Sequence, residues 1–297
     1  MTVNLTVSAV ADPATEIVVR GVSMRARLVA TFVESKLLLV AGSIATLFVL
    51  LAVVGPYLAP YDPTESTGEV LVAPGGSHWF GTDAAGLDIF SRVIAGARVD
   101  ITIALLATAV SVIVGSSIGL LSSFFGGRVG ALVLRVSDVV QAFPLMVFAM
   151  IFVTMGGRNA LNIVAVVAFL NVPIFIRLTR TQVVALKGRT FVEAARADGA
   201  TEWSAAFRHV FPNSLTPVWA QLGITLGWSI IVTAGLSFIG AGIQPPTPEW
   251  GSMVAVGANG MVSGVWWPSV FPGLAMSLAV FGFAAVAEGV RRAMFDE

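Results

Sequence analysis

The sequence predicts an all-α membrane protein with six transmembrane helices and both termini in the cytoplasm. Three observations predict it. Hydrophobic residues make up 56% of the 297 residues and charged residues 11%, with a mean hydropathy of +0.88, far from the balance of a water-soluble domain. Charge-free windows recur at lengths that fit a bilayer, since a helix rising about 1.5 Å per residue needs roughly 20 apolar residues to cross ~30 Å of hydrocarbon. Lys and Arg then gather beside alternate ends of those windows, which sets an orientation.

The first four windows, Leu37 to Tyr61, Ile101 to Gly127, Val139 to Gly157 and Asn159 to Ile176, each read as one span. Val210 to Pro248 and Trp250 to Ala287 are too long for that. Each is read as one helix with uncharged extramembrane chain, Leu215 to Ile239 for the fifth span and Pro268 to Val290 for the sixth. Residues 1–36 form a tail, loose over 1–19, and it is too long before the first apolar run for a cleaved signal peptide. Of the seventeen Lys and Arg residues, all but Arg92, Arg98 and Arg158 fall on the side of the tail. Basic residues resist translocation. The transmembrane domain 37–295 therefore turns its 181–214 segment to the cytoplasm and its 62–100 and 241–267 loops outward.

Several chemistries are excluded. Cysteine is absent, and His78 and His209 are the only histidines, so no disulfide or thiolate site exists and no metal site is expected. A formal net charge of zero gives no overall attraction to nucleic acid. The only lysines, Lys36 and Lys187, lack the glycine-rich surroundings of a Walker loop. The chain is expected to be no enzyme. Gly235-Leu236-Ser237 has no histidine within a span to serve as base, so Ser237 reads as a packing residue.

The most informative stretch is Glu193 to Pro212 in the cytoplasmic segment. Gly199 divides two short helical patterns, with Thr190 expected to cap the first and Thr201 the second. Gly199 can take the left-handed conformation that ends a helix and turns the chain. Ala194 and Ala195 let another surface come close, while Glu193, Arg196, Asp198 and Glu202 offer charged contacts around it. An ordinary solvated loop is the plain alternative. The spacing is more particular: Glu193-Ala194-Ala195, three residues, Gly199, then Phe211-Pro212 resembles the Glu-Ala-Ala loop of bacterial ABC importer permeases. The broad pattern has an aliphatic residue where this chain has His209 and Leu where it has Phe211; Arg-His-Val-Phe-Pro-Asn is similar to the version in the dipeptide, oligopeptide and nickel branch.

Two further segments are similar to that branch. Phe80-Gly81-Thr82-Asp83, Gly86-Leu87-Asp88, Ser91-Arg92 and Gly96-Ala97-Arg98 form the first, and Gln244 to Gly251 the second. Phe271-Pro272-Gly273-Leu274 and Glu288 to Arg292 extend the resemblance over residues 37–295. It implies a type I ABC importer permease, multi-pass in the bacterial cytoplasmic membrane, translocating peptides or related solutes. The implied partners are a second similar permease, two ATP-binding subunits that hold ATP and Mg, an extracellular or periplasmic substrate-binding protein, and the lipid bilayer. The coupling contact to the ATPase falls on Glu193, Ala194, Ala195, Arg196, Asp198, Gly199 and Pro212. An ion-gradient-driven secondary transporter is the competing reading, and it needs inward-facing acidic or broken-helix sites and usually an internal repeat, neither of which is visible in the sequence.

The remaining candidates rest on position. Asn171, Gln221, Thr225, Ser229 and Thr233 are mid-span polar residues, the last four on one helical face at steps of four; they line a translocation path or join helices. Glu249 and Trp250 follow three prolines within four residues, a stiff turn that either serves only as a connector or shapes the mouth where a binding protein docks, with Glu249 as its contact. Trp266 and Trp267 suit an aromatic belt. Asp88, Arg92, Arg98 and Asp100 are expected to pair with one another at the outer surface, and Arg135 with Asp138 at the inner one. Glu288 is expected to pair with Arg291 and Arg292. Pro144 and Pro173 are expected to kink the third and fourth spans.

Overall fold

The computed structural model describes residues 24–295, and among these every regular element is helical. The expected loose stretch 1–19 lies outside the described residues. The chain runs through α1 (Met24–Glu34), α2 (Lys36–Leu58), α3 (Ile89–Phe124), α4 (Gly127–Ala142), α5 (Leu145–Gly156), α6 (Ala160–Leu186) and α7 (Thr190–Ala197). It continues through α8 (Glu202–Ser204), a π-helical turn (Ala205–Val210), α9 (Phe211–Ser214), α10 (Thr216–Phe238), α11 (Trp250–Ala258), a 3-10 turn (Met261–Ser263) and α12 (Trp267–Phe295). Five of these, α2, α3, α6, α10 and α12, are long and apolar enough to cross a membrane. The α4–α5 pair supplies a sixth candidate, bent by 93°.

That bend corrects the expectation of one helix over the third window. Pro144 disfavours helical geometry in the residue before it, and Phe143 is accordingly extended at φ −74°, ψ 143°. The chain therefore turns at Phe143 and Pro144, and Val139 to Ala142 belong to α4. Pro173, by contrast, lies inside the continuous α6. The second window also changes, because α3 begins at Ile89 and takes in twelve residues assigned to the outward loop. Its start is fixed by Asp88, whose Oδ2 accepts from the Ser91 amide at 2.8 Å.

The helices enclose three apolar clusters. One joins Phe48 of α2, Ile101 of α3, Ile230 of α10, Trp250 of α11 and Phe283 of α12; another joins Ile103 of α3 and Val153 of α5 to Val167 of α6 and Leu236 of α10. The third lies beneath α7. The most extensive helix contact is that of α3 with α6. It is close because Gly115 and Gly119 carry no side chain: a Cβ at Gly115 would lie 2.7 Å from the Val172 carbonyl oxygen, and one at Gly119 2.8 Å from that of Ile176. Asp138 of α4 pairs with Arg177 of α6, not with Arg135 as expected, because α4 packs on α6. Glu288 does pair with Arg291 and Arg292, at 2.8 and 2.9 Å.

Filling the α3–α6 seam should be costly. Gly119→Leu is expected to destabilise the protein by about 1–3 kcal/mol through overpacking, read as a lowered midpoint in thermal size-exclusion of the solubilised protein. Gly76→Ala, at a position with nothing within 4 Å, should leave the midpoint unchanged.

Candidate functional site

The segment between α6 and α10 is an amphipathic hairpin of short helices laid on the end of the bundle. Val192 of α7 and Ala205, Ala206 and Val210 of the π turn are buried against Leu120 and Phe124 of α3 and Val183 of α6. The opposite face is open. Glu193, Ala194, Asp198 and Gly199 are exposed there, while Ala195 and Arg196 are half-buried. Gly199 has φ +89°, and the amide of Ala200 reaches back to the Ala195 carbonyl at 3.0 Å, so the turn between the two helices is the left-handed closure that glycine favours. Thr201 caps α8 through the Ser204 amide at 3.2 Å. Thr190 does not cap α7: the extended residue before that helix is Arg189, which makes no side-chain cap.

Arg196 is turned back onto the chain. Its guanidinium pairs with Glu202 at 2.9 Å and lies 5.8 Å from the centre of the Phe124 ring. This tie closes the hairpin across Gly199. Glu193 and Asp198 remain as the acidic side chains of the open face, and Trp203 and Phe207 stack beside it with ring centres 5.6 Å apart.

From Glu202 to Phe238 the backbone is helical at every residue but Leu215. Pro212 has no amide to donate, so the regular ladder cannot pass it. The amide of Phe211 reaches back to the Ala206 carbonyl, widening the preceding turn into a π helix. The exposed Pro212 itself sits in the first turn of α9, where a missing amide costs little. The hairpin thus feeds directly into α10.

The mid-span polar residues are brought together in part. Asn171 of α6 donates through Nδ2 to Ser229 Oγ of α10 at 3.1 Å, and Gln221 Nε2 donates to Thr225 Oγ1 at 3.4 Å. Thr225, Ser229 and Thr233 are buried within the chain. They face protein within this chain, which favours the helix-joining alternative for these three. Gln221 lines a cavity of about 460 Å³ shared with Glu288 and Arg291.

At the far end of α10 the structure also departs from expectation. Glu249 and Trp250 are both 0% exposed, so neither is a surface contact for a docking protein in this chain. Glu249 caps α11, accepting the amides of Gly251 and Ser252 at 2.9 and 2.8 Å. Trp250 donates its backbone amide to Asp100 Oδ2 at 3.1 Å and its indole N–H to the Val93 carbonyl at 2.9 Å. The four charges expected to pair do not: Asp88 bonds His78 Nδ1 at 2.8 Å, Arg92 donates to the carbonyls of Pro63 and Pro246, and Arg98 donates to those of Ala52 and Val53. Arg92 reaches carbonyls of loops, whereas Arg98 reaches carbonyls inside α2, where Pro56 has no amide to bond that of Ala52. Trp266 is 45% exposed, as a belt residue would be, but Trp267 is buried and donates to the Thr82 carbonyl at 3.0 Å.

Residues 111–295, from mid-α3 through α12, match the family described as binding-protein-dependent transport system inner membrane component. The chain belongs to this family. Residues 23–74 match the N-terminal transmembrane domain of oligopeptide transport permease C. The permease is 36% identical over 268 residues to the probable D,D-dipeptide transport system permease protein DdpC of Escherichia coli K12, covering 90% of this chain and 89% of that one. It is 34% identical over 265 residues to the glutathione transport system permease protein GsiD of Pectobacterium atrosepticum, covering 89% and 88%. With the dipeptide transport system permease protein DppC of Alkalihalophilus pseudofirmus it shares 35% over 262 residues, covering 88% and 86%. It is a multi-pass protein of the bacterial inner membrane.

The permease holds two features that sequence reasoning missed. The π turn has a signal in Pro212, which removes a rung from any helix continuing through it. The buried His78–Asp88 pair has half of one, since Asp88 with Ser91 three residues on is a capping pattern. His78 carries none. Asp88→Ala removes the cap and the acceptor of His78 together and is expected to cost about 2 kcal/mol, with faster limited proteolysis within residues 62–88 as the readout.

Proposed function

We propose that this permease is the membrane subunit of an ATP-driven importer of short peptides, and that the 190–214 hairpin is where it receives work. In this reading the hairpin and both termini face the cytoplasm, in keeping with the Arg distribution. Two separate ATP-binding subunits hold ATP and Mg, the chain itself hydrolyses nothing, a second similar permease completes the path, and a substrate-binding protein delivers cargo to the outer end. The peptide class is supported by the relatives, whose names specify D,D-dipeptides, glutathione and dipeptides. All three are small amide-linked molecules carrying an ammonium and at least one carboxylate.

The observation that carries the coupling role is the nearly continuous helical backbone from Glu202 to Phe238. A force on the exposed face at Glu193, Ala194, Asp198 and Gly199 is passed through the shared buried underside of Val192, Ala205, Ala206 and Val210, and from there along helix into α10. A flexible loop would absorb that displacement; a hairpin with a buried underside and a helical exit converts it into tilt of a span.

Gly199→Arg tests this in a strain lacking the chain, with uptake of labelled dipeptide and membrane abundance both measured. Nothing lies within 4 Å of a Cβ at this position, so the substitution crowds no neighbour within the chain. The left-handed backbone costs a non-glycine residue about 1–2 kcal/mol. Uptake is expected to fall to background with insertion and abundance retained, while Gly199→Ala, which carries the same strain without bulk, keeps most of the uptake. Normal uptake by Gly199→Arg would falsify the coupling role.

A further inference from the structure

We propose that the outer end of this permease carries a binding subsite for a small zwitterion, an amino acid or the terminus of a short peptide, held between Arg92 and Asp83. A cavity of about 230 Å³ lies between the 62–88 loop and α11, and both side chains line it, with Pro245, Met253 and Val256 among its apolar walls. Arg92 is 4% exposed. Its Nη1 donates to the Pro63 and Pro246 carbonyls at 2.6 and 3.0 Å, yet its Nε is buried with no acceptor. A guanidinium keeps its charge in any such setting. Among the described residues no carboxylate forms an ion pair with it.

Asp83 is the acidic group whose charge acts on Arg92, but it is held at the cavity wall by its loop, Oδ1 accepting the amides of Ala85 and Leu87 at 2.8 and 3.0 Å. The cavity therefore presents a fixed cation and a fixed anion, set apart, on a mainly apolar surface. A carboxylate arriving there meets the Arg92 charge at the cavity wall. A lone acidic side chain from another protein would gain that contact and be opposed by Asp83. A zwitterion satisfies both charges, its carboxylate at Arg92 and its ammonium at Asp83. The volume is below the roughly 300–1,000 Å³ of pockets for drug-sized ligands, which suits one or two small residues.

The assignment concerns binding to this chain and does not require the ligand to be the cargo. The complete permease, purified with its partner subunits in lipid nanodiscs without nucleotide, is titrated with alanyl-alanine, N-acetyl-alanyl-alanine and alanyl-alanine amide. Alanyl-alanine is expected to bind, and each capped form at least ten-fold more weakly. Asp83→Asn retains the Oδ1 acceptor for the loop amides and should erase the penalty for acetylation while leaving that for amidation. Ala85→Trp fills the cavity from its exposed rim and should abolish binding in a complex that still assembles and hydrolyses ATP. Equal binding of the three probes, absence of alanyl-alanine binding, or binding indifferent to Ala85→Trp overturns the proposal, and so does a penalty for amidation alone, which marks an anion site. Because uptake is not the readout, failure here and failure of the import reading are separately visible.

Discussion

The close approach of α3 to α6 at Gly115 and Gly119 is the contact on which the rest of the molecule depends. In lipid there is no hydrophobic drive between helices, so two spans hold together by packing and by what their backbones can reach. With carbonyls of α6 less than 3 Å from where side chains would stand on α3, the two helices act as one wall. The ends of that wall, Leu120 and Phe124 on α3 and Val183 on α6, form the floor under the 190–214 hairpin. A floor that yielded would waste any displacement applied above it. The hairpin's charges add little to this rigidity, since exposed ion pairs such as Arg196–Glu202 contribute about 0–1 kcal/mol; that pair sets the direction of the chain across Gly199, and the buried underside supplies the anchoring.

How much was legible in the sequence follows from which physical signal each residue carries. Span positions were readable because hydrocarbon demands a long apolar helix, and α2, α10 and α12 begin and end within a few residues of the spans Leu37 to Tyr61, Leu215 to Ile239 and Pro268 to Val290. The windows failed where charge and helix part company. Arg92, Arg98 and Asp100 ended the second window, yet they lie inside α3, where Arg92 donates to loop carbonyls, Arg98 to carbonyls of α2, and Asp100 accepts the Trp250 amide. In the third window hydropathy is blind to a 93° bend that one proline imposes through the geometry of Phe143. Gly199 was readable because a positive φ has few other occupants. Glu249 was misread because a carboxylate before a helix looks the same whether it faces solvent or its own helix amides, and the choice is made by the packing of Trp250 against Phe48, with ring centres 5.5 Å apart.

The polar stripe of α10 shows the same limit with a different consequence. Spacing at steps of four places Gln221, Thr225, Ser229 and Thr233 on one face, but only the fold tells which surface that face meets. It meets α6 at Asn171, where one hydrogen bond crosses an otherwise apolar seam. Such interhelical bonds within membranes are worth about 0.6 kcal/mol on average. That magnitude matters to the proposed cycle. A helix that must tilt against α6 can break a contact of this size and remake it with little loss. Thr233 Oγ1, buried without a partner in this conformation, is an acceptor and donor already in place for a second arrangement. In the proposed cycle the Asn171–Ser229 crossing is a contact that tilt of α10 breaks and remakes at a cost of that order.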